Sequence, residues 1–485
     1  MSCHSHNHAY LYNIQTPHYS NLRLYNTLTR LVEELDTPKN IIRIYLCGLT
    51  VYDNSHIGHA RTIILFDVLR RYLLFRGYKV IFIQNFTDVD DKIINRAKAE
   101  RLTAHEVAAK YIRSYFKDFD CLNVLRADLY PQATENIKEM IELIEGLIKK
   151  GHAYLSPKGV YFRIRTFSDY GKLSKRSIEE LESGSRVEID PSKEDPLDFA
   201  LWKFYSDAPV WDSPWGYGRP GWHIECSAMA LNYFGSTFEI HGGGYDLVFP
   251  HHENEIAQSE AFSEKQFAKL WLHTGMVTIN SEKMSKSLGN IVTIQEALCN
   301  WGMNTIRIYS MSVQYSKPLD YTDKLLTESR QRWRQIETCE CELRFASEKE
   351  LGNLEAIKKL SDESMKAFHS AMDDNMNTTL ALTAFMKFVA EINRYAAAEK
   401  LTQHMSKAAL KVFKNFMDVF GLKVFEATDR EKEEIEELIA TRNQLRSEKK
   451  FQSSDDIRKK LIDQYSVELI DHKYRTIWKK VENPK

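Results

Sequence analysis

Apolar residues follow two rhythms along this chain, and the alternation between them predicts its first fold unit. "IRIYLC" (42–47) is a short apolar-rich run that predicts a strand. After a loop, "IGHARTIILFDVLRRYLLFRGY" (57–78) places apolar residues at helical spacing and stops at an Arg-Gly pair. "KVIFIQNF" (79–86) predicts a buried strand and "TDVDDKIINRAKAE" (87–100) a helix. Thr87 is expected to be its N-cap, with Asp90 three residues on as a variant capping box. Strand, helix and strand in this short span predict a right-handed βαβ unit of a parallel sheet.

The rhythm then breaks. Residues 131–205 read as an insertion, with "GVYFRIRTF" as a strand and "SKRSIEELESGSRVEIDPSKEDP" polar and turn-rich. "WDSPWGYGRPGWHIECSAMA" crowds aromatic, Pro and Gly residues before a helix and predicts an irregular, binding-prone wall. "STFEI" is a further strand, ending at "HGGGYDL" as a glycine loop. From about residue 323 the pattern is nearly all helical, with 364–395 predicted as one long amphipathic helix.

Composition narrows the possibilities. At 485 residues, with 43% hydrophobic and 12% aromatic residues, the chain predicts about three globular domains. A net charge of −1 excludes a uniformly basic nucleic-acid binder but leaves room for a local patch. Residues 441–485 supply one, with 12 Lys/Arg against 7 Asp/Glu. No secretory signal and no apolar run of about 20 residues is evident, so a cytoplasmic protein without a membrane segment is expected. Seven scattered cysteines suit a reducing compartment better than a disulfide framework. Cys121 and Cys299 are expected in the core, and "CHSHNH" (3–8) reads as a flexible tail.

Three stretches carry chemistry. "SHIGHAR" (55–61) sets His56 and His59 around Gly58 at a helix start, where partial positive charge favours a phosphate; capping alone would also explain the histidines. "SEKMSKSLGN" (281–290) holds Lys283 and Lys286 among small residues, suited to closing on a leaving pyrophosphate. "FPHHENEIAQSE" (249–260) places His251 and Glu255 four apart on one helix face, a spacing that can hold a metal.

His-x-Gly-His followed by Lys-Met-Ser-Lys-Ser resembles the class I aminoacyl-tRNA synthetases. Within that class, "YLCGLTVYDNSHIGHAR", "NFTDVDDKI", "GRPGWHIECSAMA", "HGGGYDLVFPHHENEIAQSEA" and "KMSKSLGN" resemble the cysteinyl-tRNA synthetase family, in order. The resemblance implies an α/β, Rossmann-like parallel-sheet catalytic domain with an inserted connective peptide, then a mostly helical anticodon-binding region and a small C-terminal domain. The boundaries expected are a tail at 1–20, catalytic halves at 21–130 and 206–280 around the insertion, and a stem-contact region at 281–322. The helical domain would span 323–430 and the small domain 431–485.

By resemblance, His56, His59, Lys283 and Lys286 are catalytic, and with Gly58, His241, Gly242 and Gly243 they bind ATP. One Zn²⁺ is implied on Cys47, Cys226, His251 and Glu255, where the thiol of free cysteine would distinguish it from serine. Gly48, Thr87 and Trp222 would line the cysteine pocket. Mg²⁺ would arrive with ATP; the aspartates of "TDVDDK" read as helix caps. Arg442, Arg446, Arg458, Lys459 and Trp478 are expected tRNA contacts, although "YSVELIDHKYRTIW" lacks the glycines the family places at its last turn. The partners implied are L-cysteine, ATP and tRNA(Cys), acting on a monomer.

Overall fold

A computed structural model describes residues 21–37, 40–184, 190–284, 288–347 and 352–482. A hairpin of β1 (Arg23–Asn26) and β2 (Leu31–Glu34) leads into β3 (Ile41–Thr50), α1 (Ile57–Phe75) and β4 (Lys79–Thr87). Helices α2 (Asp91–Glu100), α3 (Ala104–Cys121) and α4 (Ile137–Lys149) follow. The inserted antiparallel sheet comprises β5 (Ala153–Ser156), β6 (Gly159–Phe162), β7 (Phe199–Phe204) and β8 (Gly218–Pro220), with α5 (Ile178–Gly184) between β6 and β7. Its last strand thus lies beyond residue 205.

The chain then returns to the first sheet through α6 (Trp222–Phe234), β9 (Phe238–Gly244), α7 (Glu253–Ser263) and β10 (Ala268–Thr274). The strand order is β10-β9-β3-β4, and every pairing is parallel. After β3 the chain moves to one side and later crosses to the other. The β3–β9 crevice is therefore a topological switch point, where open sheets of this kind place ligands.

A small sheet of β11 (Val277–Ile279), β12 (Glu282–Lys283) and β13 (Leu319–Asp320) comes next, with α8 (Ile294–Trp301) and α9 (Met303–Met311) inside it in sequence. The rest is helical: α10 (Asp323–Arg344), α11 (Leu354–Asp373), α12 (Thr378–Ala397), α13 (Gln403–Phe420), α14 (Asp429–Ser447) and α15 (Phe451–Tyr465). A hairpin of β14 (Val467–Asp471) and β15 (Thr476–Lys480) closes the described chain. Among the described residues no helix is long and apolar enough to cross a membrane.

Several expectations need correction. Thr87 ends β4, and Asp90 itself caps α2 by accepting from the Lys92 N–H at 2.8 Å. "GVYFRIRTF" stays extended only to Phe162, then forms a 3₁₀ turn over Ile164–Thr166. The predicted long helix is two, α11 and α12, because Asn375 and Met376 take positive φ and Asn377 starts a new N-cap. Cys121 and Cys299 are exposed rather than core. The histidine-rich tail lies outside the described residues.

One buried ion cluster ties the helical region to α1. Arg307 on α9 is fully buried and donates to Asp67 on α1 at 2.6 Å, to the Phe420 carbonyl at the end of α13 and to the Leu122 carbonyl. Arg71 and the Leu125 N–H also donate to Asp67. Burial alone would raise the Asp67 carboxyl, but Arg71, Arg307 and the Leu125 N–H outweigh it and hold it below the usual range. A folded value below the unfolded one gives stability that is complete above the ordinary carboxylate range. It is lost as pH falls through the depressed value. Asp67→Ala, which strands a buried guanidinium, is expected to cost about 3–5 kcal/mol in urea unfolding. A loss under about 1 kcal/mol would contradict this account of the cluster.

Candidate active site and metal centre

At the start of α1 the histidines serve each other. The His56 ring accepts from the His59 N–H at 3.4 Å, and the His59 ring accepts from the His56 N–H at 3.3 Å. Both bonds use Nδ1, so each neutral imidazole carries its proton on Nε2. The rings stack with centroids 3.5 Å apart. Burial, with His56 alongside, pushes His59 well below its ordinary pKa and keeps it neutral. The capping and anion-binding readings are therefore compatible: the caps fix two N–H donors beside a positive helix end.

Gly58 marks where the second motif meets the first. A Cβ there would lie 3.0 Å from the His56 ring and 3.1 Å from Met284 Cε. Ile57 N–H donates to the Val292 carbonyl and Ile294 N–H to the Ser55 carbonyl, both at 3.0 Å. These bonds hold residues 292–294 against the start of α1. Lys283 ends β12 and is exposed; Lys286 lies outside the described residues.

The "HGGG" stretch is strand rather than loop. Gly242 is buried beneath α1, where a Cβ would fall 2.1 Å from Phe66 Cζ. A Cβ at Gly243 would meet Leu247 and His252 within 3 Å. His241 is fully buried on the opposite face of β9 from Phe66, with Nε2 3.5 Å from Cys47 Sγ and 3.3 Å from a Glu255 oxygen. What the fold corrects is the loop expected at these residues, which is strand. Close packing of α1 explains Gly242, and strand alternation turns His241 toward Cys47.

Four elements deliver the donors around Cys47. The β3–β4 register shifts between Leu46 and Leu49, which re-aims Cys47 out of the regular ladder. Gly48 permits that shift, since a Cβ would lie 1.5 Å from the Asn85 carbonyl oxygen. Cys226 comes from α6, His251 from a π turn after Pro250, and Glu255 from the first turn of α7. Cys47 Sγ is 3.5 Å from Cys226 Sγ and 3.3 Å from Glu255 Oε1, and His251 Nε2 is 3.0 Å from that same oxygen.

These four donor atoms lie within 4.8 Å of one another, and all four residues are buried. Tetrahedral metal bonds of ~2.0–2.3 Å place donors roughly 3.3–3.8 Å apart. The spacing and the donor types fit one metal ion. Cys47, His241, His252 and Glu255 form a second, overlapping group of this kind.

Burial pushes Glu255 and the Cys47 thiol well above their ordinary pKa values, with Cys226 adding to the shift at Cys47. Burial would also raise Cys226, but the hydrogen bond from Cys47 and the nearby His251 outweigh it. A cation at this point would reverse that logic and favour thiolate and carboxylate.

Residues that sequence reasoning missed surround the donors. His223 Nδ1 is 3.0 Å from His251 Nδ1, so one ring orients the other and leaves His251 Nε2 toward the cluster. Its position three before Cys226, on the same helix face, was the available signal. His252 Nδ1 meets His273 Nε2 at 2.7 Å, and His273 Nδ1 meets the Thr27 hydroxyl at 2.9 Å. Burial, with Arg30 nearby, lowers His273 to about 3, so this line of imidazoles is neutral. Trp222 stacks on His251 at 4.2 Å and is 38% exposed, forming the open wall of the site. Thr87 donates to the buried Glu225 at 2.7 Å, and Gly48 N–H donates to the Asn85 side chain at 2.8 Å.

The expected tRNA contacts divide. Arg442 is buried in a two-bond pair with Asp471, at 2.6 and 2.7 Å. Trp478 is 3% exposed and donates to Glu436. Neither presents a surface to RNA, because the β14–β15 hairpin folds back onto α14. Arg446 and Arg458 are partly exposed beside Asp471, and Lys459 is exposed.

Comparison with known proteins gives a consistent picture. Residues 34–331 match the family model for the tRNA synthetases class I (C) catalytic domain, and residues 367–425 match the DALR domain. The Cysteine--tRNA ligase of Thermodesulfovibrio yellowstonii is 44% identical over 94% of this chain and 99% of its own. That of Caldicellulosiruptor saccharolyticus is 47% identical over 91% of this chain and 96% of its own. Among solved structures, Mycobacterium tuberculosis methionyl-tRNA synthetase in complex with methionyl-adenylate aligns with a TM-score of 0.59 at 15% identity. It covers 78% of this chain and 90% of that one, a likeness of fold. With this coverage on both sides, the chain belongs to the cysteine–tRNA ligase family of class I tRNA synthetases.

Proposed function

We propose that this chain activates L-cysteine with ATP and transfers the cysteinyl group to tRNA(Cys), acting in the cytoplasm as a monomer, with zinc on Cys47, Cys226, His251 and Glu255. The observation that carries the reading is the buried convergence of two thiols, an imidazole and a carboxyl in a chain of this family. Zinc bound there supplies a soft acceptor for the substrate's sulfur, which the hydroxyl of serine matches poorly.

The chain's own residues do the rest by position and charge. Trp222, Thr87 and Gly48 wall the amino-acid pocket. Because the Thr87 hydroxyl donates its hydrogen bond to Glu225, its oxygen is left as an acceptor for a substrate ammonium group. The cysteine carboxylate attacks the α-phosphorus of ATP, and the bond to pyrophosphate breaks. His56 and His59 offer Nε2–H donors at the helix start, and Lys283 and Lys286 offer ammonium groups to the departing pyrophosphate, whose charge Mg²⁺ shares. The terminal ribose hydroxyl of tRNA then attacks the carbonyl carbon, and AMP leaves.

Charging of tRNA with labelled cysteine, beside labelled serine, tests the reading. Cysteine is expected to exceed serine by about 10⁴-fold or more, the scale reached by sites that bond the discriminating group directly. Equal charging would refute the role given to zinc; pyrophosphate exchange without tRNA charging would refute the acceptor. Metal analysis separates the two overlapping donor groups. Cys226→Ala should fall from about one zinc per chain to near none, while His241→Gln keeps it. The reverse pattern would place the metal on His241 and His252.

A further inference from the structure

The donors around Cys47 do not stop at four. Glu255 offers its two oxygens to different histidines: His251 Nε2 lies 3.0 Å from Oε1, and His241 Nε2 lies 3.3 Å from Oε2. Cys47 Sγ is likewise 3.5 Å from both Cys226 Sγ and His241 Nε2. His252 Nε2, 3.9 Å from Oε1 of Glu255, completes a second quartet. Its donor atoms, from Cys47, His241, His252 and Glu255, all lie within 4.8 Å of one another. Cys47 and Glu255 therefore belong to both quartets, while each quartet has two residues of its own.

Two atoms of the second quartet are left over by the protein's own bonding. His252 Nε2 and Glu255 Oε2 are buried and make no hydrogen bond among the described residues. Buried polar atoms are paired as a rule, so two such atoms in one place point to a ligand. At 3.9 Å, His252 Nε2 is too far from Glu255 for a hydrogen bond, yet close to the spacing of donors around one tetrahedral ion. The His252 ring is also held for that task. Its Nδ1 meets His273 Nε2 at 2.7 Å, and His273 Nδ1 meets the Thr27 hydroxyl at 2.9 Å. A proton on each Nδ1 satisfies this line and leaves His252 Nε2 a lone pair, the form a metal takes. The His241 ring is set by stacking on Trp271 at 4.4 Å.

Charge favours a second ion. One dication on Cys47, Cys226, His251 and Glu255 faces two thiolates and a carboxylate, so the buried centre keeps an excess of negative charge. One thiolate, one carboxylate oxygen and two imidazoles suit a dication of the same borderline softness. It would be held more weakly than the first, with one thiolate rather than two, and that one shared. His241 Nδ1 also lacks, among the described residues, the hydrogen bond that usually fixes a ligating imidazole. Such a partner changes metal affinity by about 10–100-fold.

We infer that His241 and His252 hold a second zinc-class dication beside the first, with Cys47 and Glu255 bridging the two ions. The inference rests on the zinc reading above. The second position fills when free zinc is in excess and is lost on desalting, so the desalted chain keeps about one ion. The full-length chain tests it, desalted and then equilibrated with excess zinc. Equilibration is expected to add zinc–zinc scattering at roughly 3.5–4 Å to the X-ray absorption spectrum. His252→Gln and His241→Gln should each lose that scattering and keep the first ion. Zinc held elsewhere, the histidines of residues 3–8 included, would persist in both variants and give no such scattering. Thermal unfolding of each variant shows whether the fold is intact. No zinc–zinc scattering in the original chain at excess zinc overturns the proposal, as does undiminished scattering in both variants. A desalted chain that holds no zinc would instead refute the zinc reading, and this position with it.

Discussion

Four polar side chains brought into one buried point impose the main constraint on this structure. Two thiols, an imidazole and a carboxyl come from β3, α6, a π turn and α7, and all four are buried. Buried groups of this kind are costly unless a cation or a full set of hydrogen bonds satisfies them. Much of the local architecture serves that convergence. The β3–β4 register shift turns Cys47, Gly48 makes room for it, and His223 fixes the His251 ring. Trp222, partly exposed, then stacks on His251.

Helix α1 connects this centre to the rest of the molecule. Its first turn carries the paired histidines, its middle packs Phe66 over Gly242, and Asp67 binds Arg307 and Arg71. Near its end, Tyr72 donates to Asp373 of α11 at 2.5 Å, and Arg76 pairs with the same carboxylate. The paired histidines and the helical region are thus attached to one helix. The positions of His56 and His59 depend on contacts made far along the chain.

The sequence made some of this legible and hid the rest for physical reasons. The β3–α1–β4 unit was readable because apolar periodicity is a local property, and its strands extend only a few residues past their predicted ends. His251 and Glu255 were readable as a pair because helical spacing is local too. Cys47 and Cys226 are 179 residues apart, so only the family resemblance could join them. Glycines at 242–243 suggested a loop because glycine is common in loops; packing against Phe66 and His252 explains them better. Arg442 and Trp478 suggested RNA contacts because charge and aromaticity do not reveal burial. The partners that bury them, Asp471 and Glu436, lie 29 and 42 residues away.

On the proposed function, the buried donors form a centre that reads the substrate's sulfur. X-ray absorption at the zinc edge of the loaded chain, with and without substrate, measures this directly. The account predicts two sulfur ligands, from Cys47 and Cys226, rising to three on addition of cysteine and staying at two with serine. An unchanged sulfur count with saturating cysteine would contradict it.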